Sequence, residues 1–254
     1  METNTDVLIV GGGVAGLSAG IFTARAGLET LIVNDGESIL RRNAHLENYP
    51  GFPVGVDSRL FLDMVHEQAE RAGCAFVEGR VSQITHSDED GNGTENGENE
   101  RFEVATDEGE LHEADRVVVA SWSDSSYLEA LDVGLDRRGS KQFVETDSEG
   151  RTDVEGLYAA GRIARQFHQT VISAGHGAEV ALALIHDSDV HFYNDWVAPE
   201  GYFTDRGRDV PPGCEEISDE ERERRAAESR ETMTEWFAEP EGEEPTPHPS
   251  LADE

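Results

Sequence analysis

DVLIVGGGVAGLSAGIFTARAGLETLIVND, residues 6–35, reads as a strand, a glycine turn, a helix and a second strand. Val7 to Val10 form an unbroken apolar run, the pattern of a strand buried on both faces of a parallel sheet. Gly11, Gly13 and Gly16 then supply G-x-G-x-x-G, with Gly12, Val14 and Ala15 filling the loop. In such a turn the first glycine permits the tight bend, the second lets backbone approach a phosphate, and the third lets the helix sit close to the strand. The helix N-terminus adds free N–H groups and partial positive charge for an anion. Three glycines alone would also suit a plain structural turn. Placed between an apolar strand and a helix-forming run, they point to a dinucleotide pyrophosphate.

Two details qualify this reading. A carboxylate usually ends the second strand, about 20 residues after the glycines, to bind a ribose. Here Asn34 stands in that place with Asp35 beside it, and an amide hydrogen-bonds a hydroxyl more weakly than a carboxylate does. The second detail is a decoy: Gly16-Leu17-Ser18-Ala19-Gly20 fits the G-x-S-x-G pattern of serine hydrolases. That pattern needs its serine on a strained strand-to-helix turn, whereas Ser18 falls inside the helix, so hydrolase chemistry is set aside.

At 254 residues the chain can bury a substantial core. Its formal charge of −34 comes from 54 acidic against 20 basic residues, and Lys141 is the sole lysine. Such self-repulsion opposes compaction unless salt screens it, and at about 1 M salt the screening length is roughly 3 Å. A halophilic protein is expected. Nucleic-acid binding is disfavoured because phosphate contacts need clustered Lys and Arg. No export signal and no apolar run of membrane-spanning length are visible, so a soluble, cytoplasmic protein is expected. Cys74 and Cys214 form no C-x-x-C pair and read as ordinary thiols, with a long-range disulfide as the alternative; no metal-ligand spacing is present.

Further along, Asp57 to Gly73 reads as an amphipathic helix with an N-cap at Asp57 or Ser58 and a stop at Gly73. Short β-like runs follow at residues 75–77, 81–85, 101–106 and 116–120. Between the second and third lies an acidic, glycine-rich stretch whose Gly91-Asn92-Gly93 reads as a hairpin tip. Residues 156–161 read as a last core strand ending in glycine, and 170–185 as an apolar helix. Residues 191–213 are turn-rich and carry Phe192, Tyr193, Trp196, Tyr202 and Phe203, read chiefly as packing onto the core and otherwise as a ligand cover or subunit contact. Ser218 and Glu221 open a charged helix with a capping box, running to Phe237, and after Glu239 the Pro- and Glu-rich tail reads as disordered.

Taken together, DVLIVGGGVAGLSAG, LENYPGF at 46–52 and TDVEGLYAAGRIARQFHQTVISAGHGAEVA at 152–181 resemble the flavin domain of the low-molecular-weight thioredoxin reductases and their wider family of flavin disulfide reductases. The resemblance implies an α/β chain with a Rossmann-like, three-layer ββα FAD-binding fold. It implies one flavin domain, placed over residues 1–190; the residues beyond it read by their own composition as an extension over 191–238 ending in the charged helix and an acidic, disordered tail over 239–254. It implies FAD on Gly11, Gly12, Gly13, Ala15 and Gly16, with Asn34 and Asp35 at the end of the second strand. Asn48, Ala120, Gly161, Arg162, Gln169 and Thr170 would line the cofactor, the backbone at Val81 would meet the adenine, and the last helix would point its N-terminus at the flavin ring. A homodimer is implied as well.

The departures are as informative as the matches. The family inserts a nicotinamide domain with its own glycine motif and a C-x-x-C pair before the last core strand. Here only 40 residues, Ser121 to Ala160, occupy that interval. One βαβ unit takes about 30 residues or more and a domain at least about 50, so no such domain fits. Arg162 replaces an aspartate, suited either to pairing with the pyrophosphate or to a salt bridge on this acidic surface. Ala120-Ser121-Trp122 replaces Ala-Thr-Gly; Trp122 would stack on a ring or, as favoured, fill the space left by the missing domain. The segment Ser38-Ile39-Leu40-Arg41 lacks the glycine-rich flavin loop, and His168 is either a proton donor near the ring or a plain hydrogen-bonding residue. The expected function is a flavin oxidoreductase fed by free NAD(P)H or a separate redox protein. The alternative is a degenerate, non-catalytic nucleotide- or flavin-binding module acting as a sensor or partner subunit.

Overall fold

A computed structural model describes residues 5–87, 101–122, 124–139, 141–192, 194–240 and 242–248. The hairpin tip expected at Gly91 to Gly93, and Tyr193, lie outside the described residues. Strand β1 (Thr5–Val10) is central: it pairs in parallel with β2 (Thr30–Asn34) on one edge and with β6 (Leu111–Val119) on the other. Strand β3 (Ala75–Glu78) extends the sheet beyond β2. Alternate residues of β1 serve different cores. Val7 and Ile9 join one apolar cluster and Leu8 and Val10 another, all four almost wholly buried. That two-sided burial is why the run is continuous rather than alternating. Each such side chain contributes about 1.5–3 kcal/mol to the fold.

The first core lies under helices α1 (Val14–Arg25), α2 (Ser58–Ala72) and α3 (Thr170–His186). Asp57 caps α2 by accepting from the N–H groups of Arg59 and Leu60, and Gly73 ends it in the left-handed region, as its sequence anticipates. The second core is closed by an antiparallel meander, β4 (Val81–His86), β5 (Phe102–Thr106) and the first half of β6. The second half of β6 pairs in parallel with the short β9 (Leu157–Ala159). Helices, parallel sheet and meander are the three layers expected.

The interval between β6 and β9 holds a short 3-10 turn, Ser126–Leu131, and a hairpin of β7 (Leu135–Arg138) and β8 (Lys141–Val144). Among the described residues no second nucleotide-binding unit occupies it. Beyond α3, the region read as turn-rich contains a small parallel pair, β10 (Trp196–Pro199) and β11 (Cys214–Ile217). The Glu216 carboxylate accepts from Gly201 N (3.1 Å), Phe203 N (2.5 Å) and Thr204 Oγ1 (2.9 Å), which folds the aromatic turn. Helix α4 (Asp219–Trp236) is capped by the Ser218 hydroxyl accepting from Glu221 N–H at 3.2 Å. The other half of the anticipated capping box is absent, because the Glu221 carboxylate pairs with Arg224 and Arg225 instead. Trp236 anchors α4 by donating to Glu67 of α2 at 2.7 Å. Past Glu239 the described tail has no helix or strand, yet Glu243 pairs with Arg41 and Thr246 donates to the Arg41 carbonyl at 3.2 Å. Both cysteines are free thiols, Cys74 buried and Cys214 half-buried. Ser18 lies within α1, as the rejection of the hydrolase pattern required. No helix among the described residues is long and apolar enough to cross a membrane.

Candidate functional site

The turn after β1 carries the conformational strain of the site. Gly11 has φ +111°, and a Cβ there would sit 2.9 Å from the Ala120 carbonyl, so only glycine lets this turn abut the end of β6. A Cβ on Gly16 would lie 1.9 Å from the Gly11 oxygen, so α1 sits against its own turn. Gly13 is the N-cap of α1 and brings no capping side chain. The first N–H groups of α1 therefore face the space beyond with their partial positive charge uncompensated by any side chain.

That space is a cleft of about 1150 Å³ running from Val33, Asn34 and Val81 to Asn48, Gln169 and Thr170. It exceeds the usual range for small-ligand pockets, about 300–1,000 Å³, and suits a dinucleotide. A second helix end also opens on it. Gln169 is the N-cap of α3, likewise without a side-chain cap, and its Oε1 accepts from Asn48 Nδ2 at 2.8 Å. Two uncapped helix N-termini on one cleft form a cradle for a large anion, so the donor set fits FAD. The flavin, when bound, supplies hydride and electron chemistry; the chain supplies the pyrophosphate cradle and a dipole beside the ring end.

Of the residues expected from sequence, Gly11, Gly13, Ala15, Asn34, Asp35 and Asn48 line the cleft, as do Val81, Ala120, Arg162, Gln169 and Thr170. Gly12 instead faces a smaller cavity of about 440 Å³ beside it, shared with Asn34. Gly16 and Gly161 lie behind the wall, where a Cβ on Gly161 would crowd the Ala15 methyl at 2.7 Å. Asn34 spends both ends of its amide on the protein: Oδ1 accepts from Gly12 N–H at 2.8 Å and Nδ2 donates to Gly36 O at 2.7 Å. It therefore braces the glycine loop against β2, leaving Asp35 and Glu37 as the carboxylates that follow it on the cleft wall.

Two expectations need correction. Trp122 does not fill a core: it is 41% exposed, lines the cleft and meets His168 edge-on, ring centroids 5.1 Å apart. Arg162 forms no salt bridge among the described residues. Its guanidinium lies over Phe143 (5.1 Å) and Trp122 (5.9 Å) and donates to the Gln166 carbonyl at 3.1 Å. His168 has its proton affinity lowered, first by burial and then by the charges of Arg162 and Lys141, so it is neutral near pH 7. His176 of α3 is also held below the usual histidine range by burial, against an opposing effect of Glu179. Its Nδ1 accepts the Gly161 N–H at 3.0 Å, tying α3 to the end of β9.

Sequence reasoning overlooked the wall made by Ser38, Leu40, Arg42 and Asn43, which follow β2 where the glycine-rich loop was missed. It also overlooked Tyr127, whose hydroxyl lies 2.7 Å from Ser121 Oγ. The Arg-Arg-Asn run that closes the short 3-10 turn Ile39–Arg42 carried no pattern that would have announced it.

Comparison with known proteins agrees with this geometry. The profile of the pyridine nucleotide-disulphide oxidoreductase family matches residues 56–178, and that of the FAD binding domain matches residues 6–46. These matches support a flavin domain of the thioredoxin-reductase-like pyridine nucleotide-disulphide oxidoreductase family. FAD is its cofactor. Thioredoxin reductase of Rickettsia typhi is 29% identical over 130 residues, half of this chain but 38% of its own length. That of Aquifex aeolicus is 42% identical over 78 residues, 30% of this chain and 24% of its own. The flavin domain thus spans well under half the length of these relatives. Its fold is shared with a thioredoxin reductase from Gloeobacter violaceus, TM-score 0.62 at 16% identity over 76% of this chain and 99% of that one. It is also shared with an atypical thioredoxin reductase from Desulfovibrio vulgaris Hildenborough, TM-score 0.57 at 19% identity over 72% and 97%.

Proposed function

We propose that this flavin domain works as an FAD-dependent oxidoreductase without a nicotinamide domain of its own, taking electrons from free NAD(P)H or from a separate redox protein. The observation that carries the reading is the convergence of two uncapped helix N-termini, at Gly13 and Gln169, on one cleft. The first suits the pyrophosphate. The second, oriented by the Asn48–Gln169 hydrogen bond, suits negative charge on a reduced ring. The connection of 40 residues between Ser121 and Ala160 holds only a turn and a hairpin among its described residues, so the donor must come from outside this segment. We further read the protein as a cytoplasmic, halophilic homodimer, on its charge of −34 and on the habit of its family.

The alternative is a non-catalytic module that retains the cofactor as a sensor or as a partner subunit. It is favoured by Arg162 and Trp122, which put a cation and an indole where the family has an aspartate and a glycine. Anaerobic addition of NADPH, NADH or dithionite to the FAD-loaded protein separates the two. Bleaching of the flavin by a nicotinamide cofactor within seconds supports the enzyme; reduction by dithionite alone points to a required partner or to the module.

A further inference from the structure

In a chain with 54 acidic and 20 basic residues, a cation beside an open cleft without a carboxylate partner runs against composition. Arg162 and Lys141 are two such cations, and neither forms an ion pair among the described residues. Both converge on one ring: the Lys141 ammonium and the Arg162 guanidinium each lie 5.9 Å from the Trp122 centroid. Both cations lie within reach of the ring's quadrupole, yet two like charges at one ring repel. The Nε of Arg162 is buried and has no hydrogen-bond partner, so part of its donor capacity is unused. Trp122 itself is 41% exposed, and His168 stands edge-on to it. Lys141 is not on the cleft wall. It reaches the indole from the β7–β8 hairpin, while Trp122 and Arg162 do line the cleft.

The missing complement is a ligand with negative charge and a flat aromatic part. A phosphate would relieve the repulsion by pairing with the exposed Lys141 ammonium and the cleft-lining Arg162 guanidinium, and a base would pack on the exposed part of the indole. We propose that Trp122, Lys141 and Arg162 form a docking site for a nucleotide arriving from solvent beside the flavin cleft, with phosphate on the two cations and base against Trp122. The inference rests on the oxidoreductase reading and deepens it: the nucleotide is the free nicotinamide dinucleotide that acts as donor. The hairpin that replaces an inserted domain thereby brings the chain's sole lysine to the cleft mouth.

The test is isothermal titration of the FAD-loaded protein with NADP⁺, which binds without reducing the flavin, at the lowest salt that keeps the fold. Lys141 is exposed, so Lys141→Gln leaves the core intact, and thermal melting checks that. The wild type is expected to bind, and Lys141→Gln to raise Kd about tenfold, the size of one lost charge-assisted contact, with FAD content unchanged. Trp122→Phe should weaken binding less than Trp122→Ala. A Kd within twofold of wild type in Lys141→Gln, or no binding by the wild type, overturns the proposal. So does equal binding of inorganic phosphate, which would make the cluster a plain anion site, and so does loss of FAD in place of NADP⁺ affinity, which would assign it to the cofactor. A protein that binds NADP⁺ through Lys141 but is never reduced by NADPH would keep the docking site and overturn its role as the donor site, leaving the separate redox partner or the non-catalytic module.

Discussion

Gly175 and Gly177 stand two residues apart on α3, yet replacing each with alanine should have opposite effects. A Cβ on Gly177 would fall 2.1 Å from the Ala15 carbonyl oxygen of α1, whereas 3.0 Å is the floor for real contacts. Helix backbone cannot yield as a flexible side chain would, so α1 and α3 must separate by roughly 0.9 Å or tilt, losing part of the well over every neighbouring contact. Overpacking of this kind costs about 1–3 kcal/mol, or roughly 2–12 °C in Tm for a chain of this size. A Cβ on Gly175 meets nothing within 4 Å. There the substitution contributes only its helix propensity, a gain of up to about 1 kcal/mol. Both variants receive that gain, so their difference isolates the clash. Moving α3 also displaces Gln169 and Thr170 at the cleft, so Gly177→Ala should lose FAD as well as stability. Thermal melting at fixed high salt, with flavin content read on the same samples, measures both. A Gly177→Ala protein melting at or above wild type would refute the close helix contact as the element that sets the site.

Three other outcomes follow from individual residues. Asp57→Ala removes the α2 cap and strands the guanidinium of Arg59, which is only 4% exposed, so chemical denaturation should show a loss of about 3 kcal/mol or more; a loss under about 1 kcal/mol contradicts it. Burial holds His176 below the ordinary 6.5, so its contribution is fully present above that value and is lost as pH falls from 6.5 through the lower folded value. The fall in Tm between pH 7 and 5 should therefore shrink in His176→Asn, whose amide oxygen can still accept from Gly161; an identical fall contradicts the assignment. Burial also pushes the Cys74 thiol up to about 11, so a thiol reagent at pH 8 should label the half-buried Cys214 and spare Cys74 until the protein unfolds. Equal labelling rates in the native state would contradict that.

Much of this fold was legible in the sequence because burial on both faces leaves a plain signature. The run Val7 to Val10, the stripe and caps of α2 and the small-residue helix after Gln169 each read correctly, since the physics that forms them is local or two-sided. What escaped was non-local. Strands β10 and β11 pair in parallel across a turn held by one carboxylate, and neither Trp-Val-Ala-Pro nor Cys-Glu-Glu-Ile alternates clearly enough to announce it. The β7–β8 hairpin did carry a signal in Arg-Arg-Gly-Ser-Lys, where Gly139 adopts φ +63°. Within the site, the glycine loop was readable from spacing, but the use of Asn34 as a brace was not, because an amide with two polar ends suits a ribose or a backbone equally well. Trp122 was misjudged for a general reason: a tryptophan reads as core unless the absence of a covering element can be seen.

The central claim is that the cleft between Gly13 and Gln169 holds FAD, and the most direct measurement is the visible spectrum of the protein purified in molar salt, with flavin released and counted per chain. The account predicts a bound-flavin spectrum near one FAD per chain, present on purification or restored by incubation with FAD. A folded, colourless protein that cannot be reconstituted would contradict it.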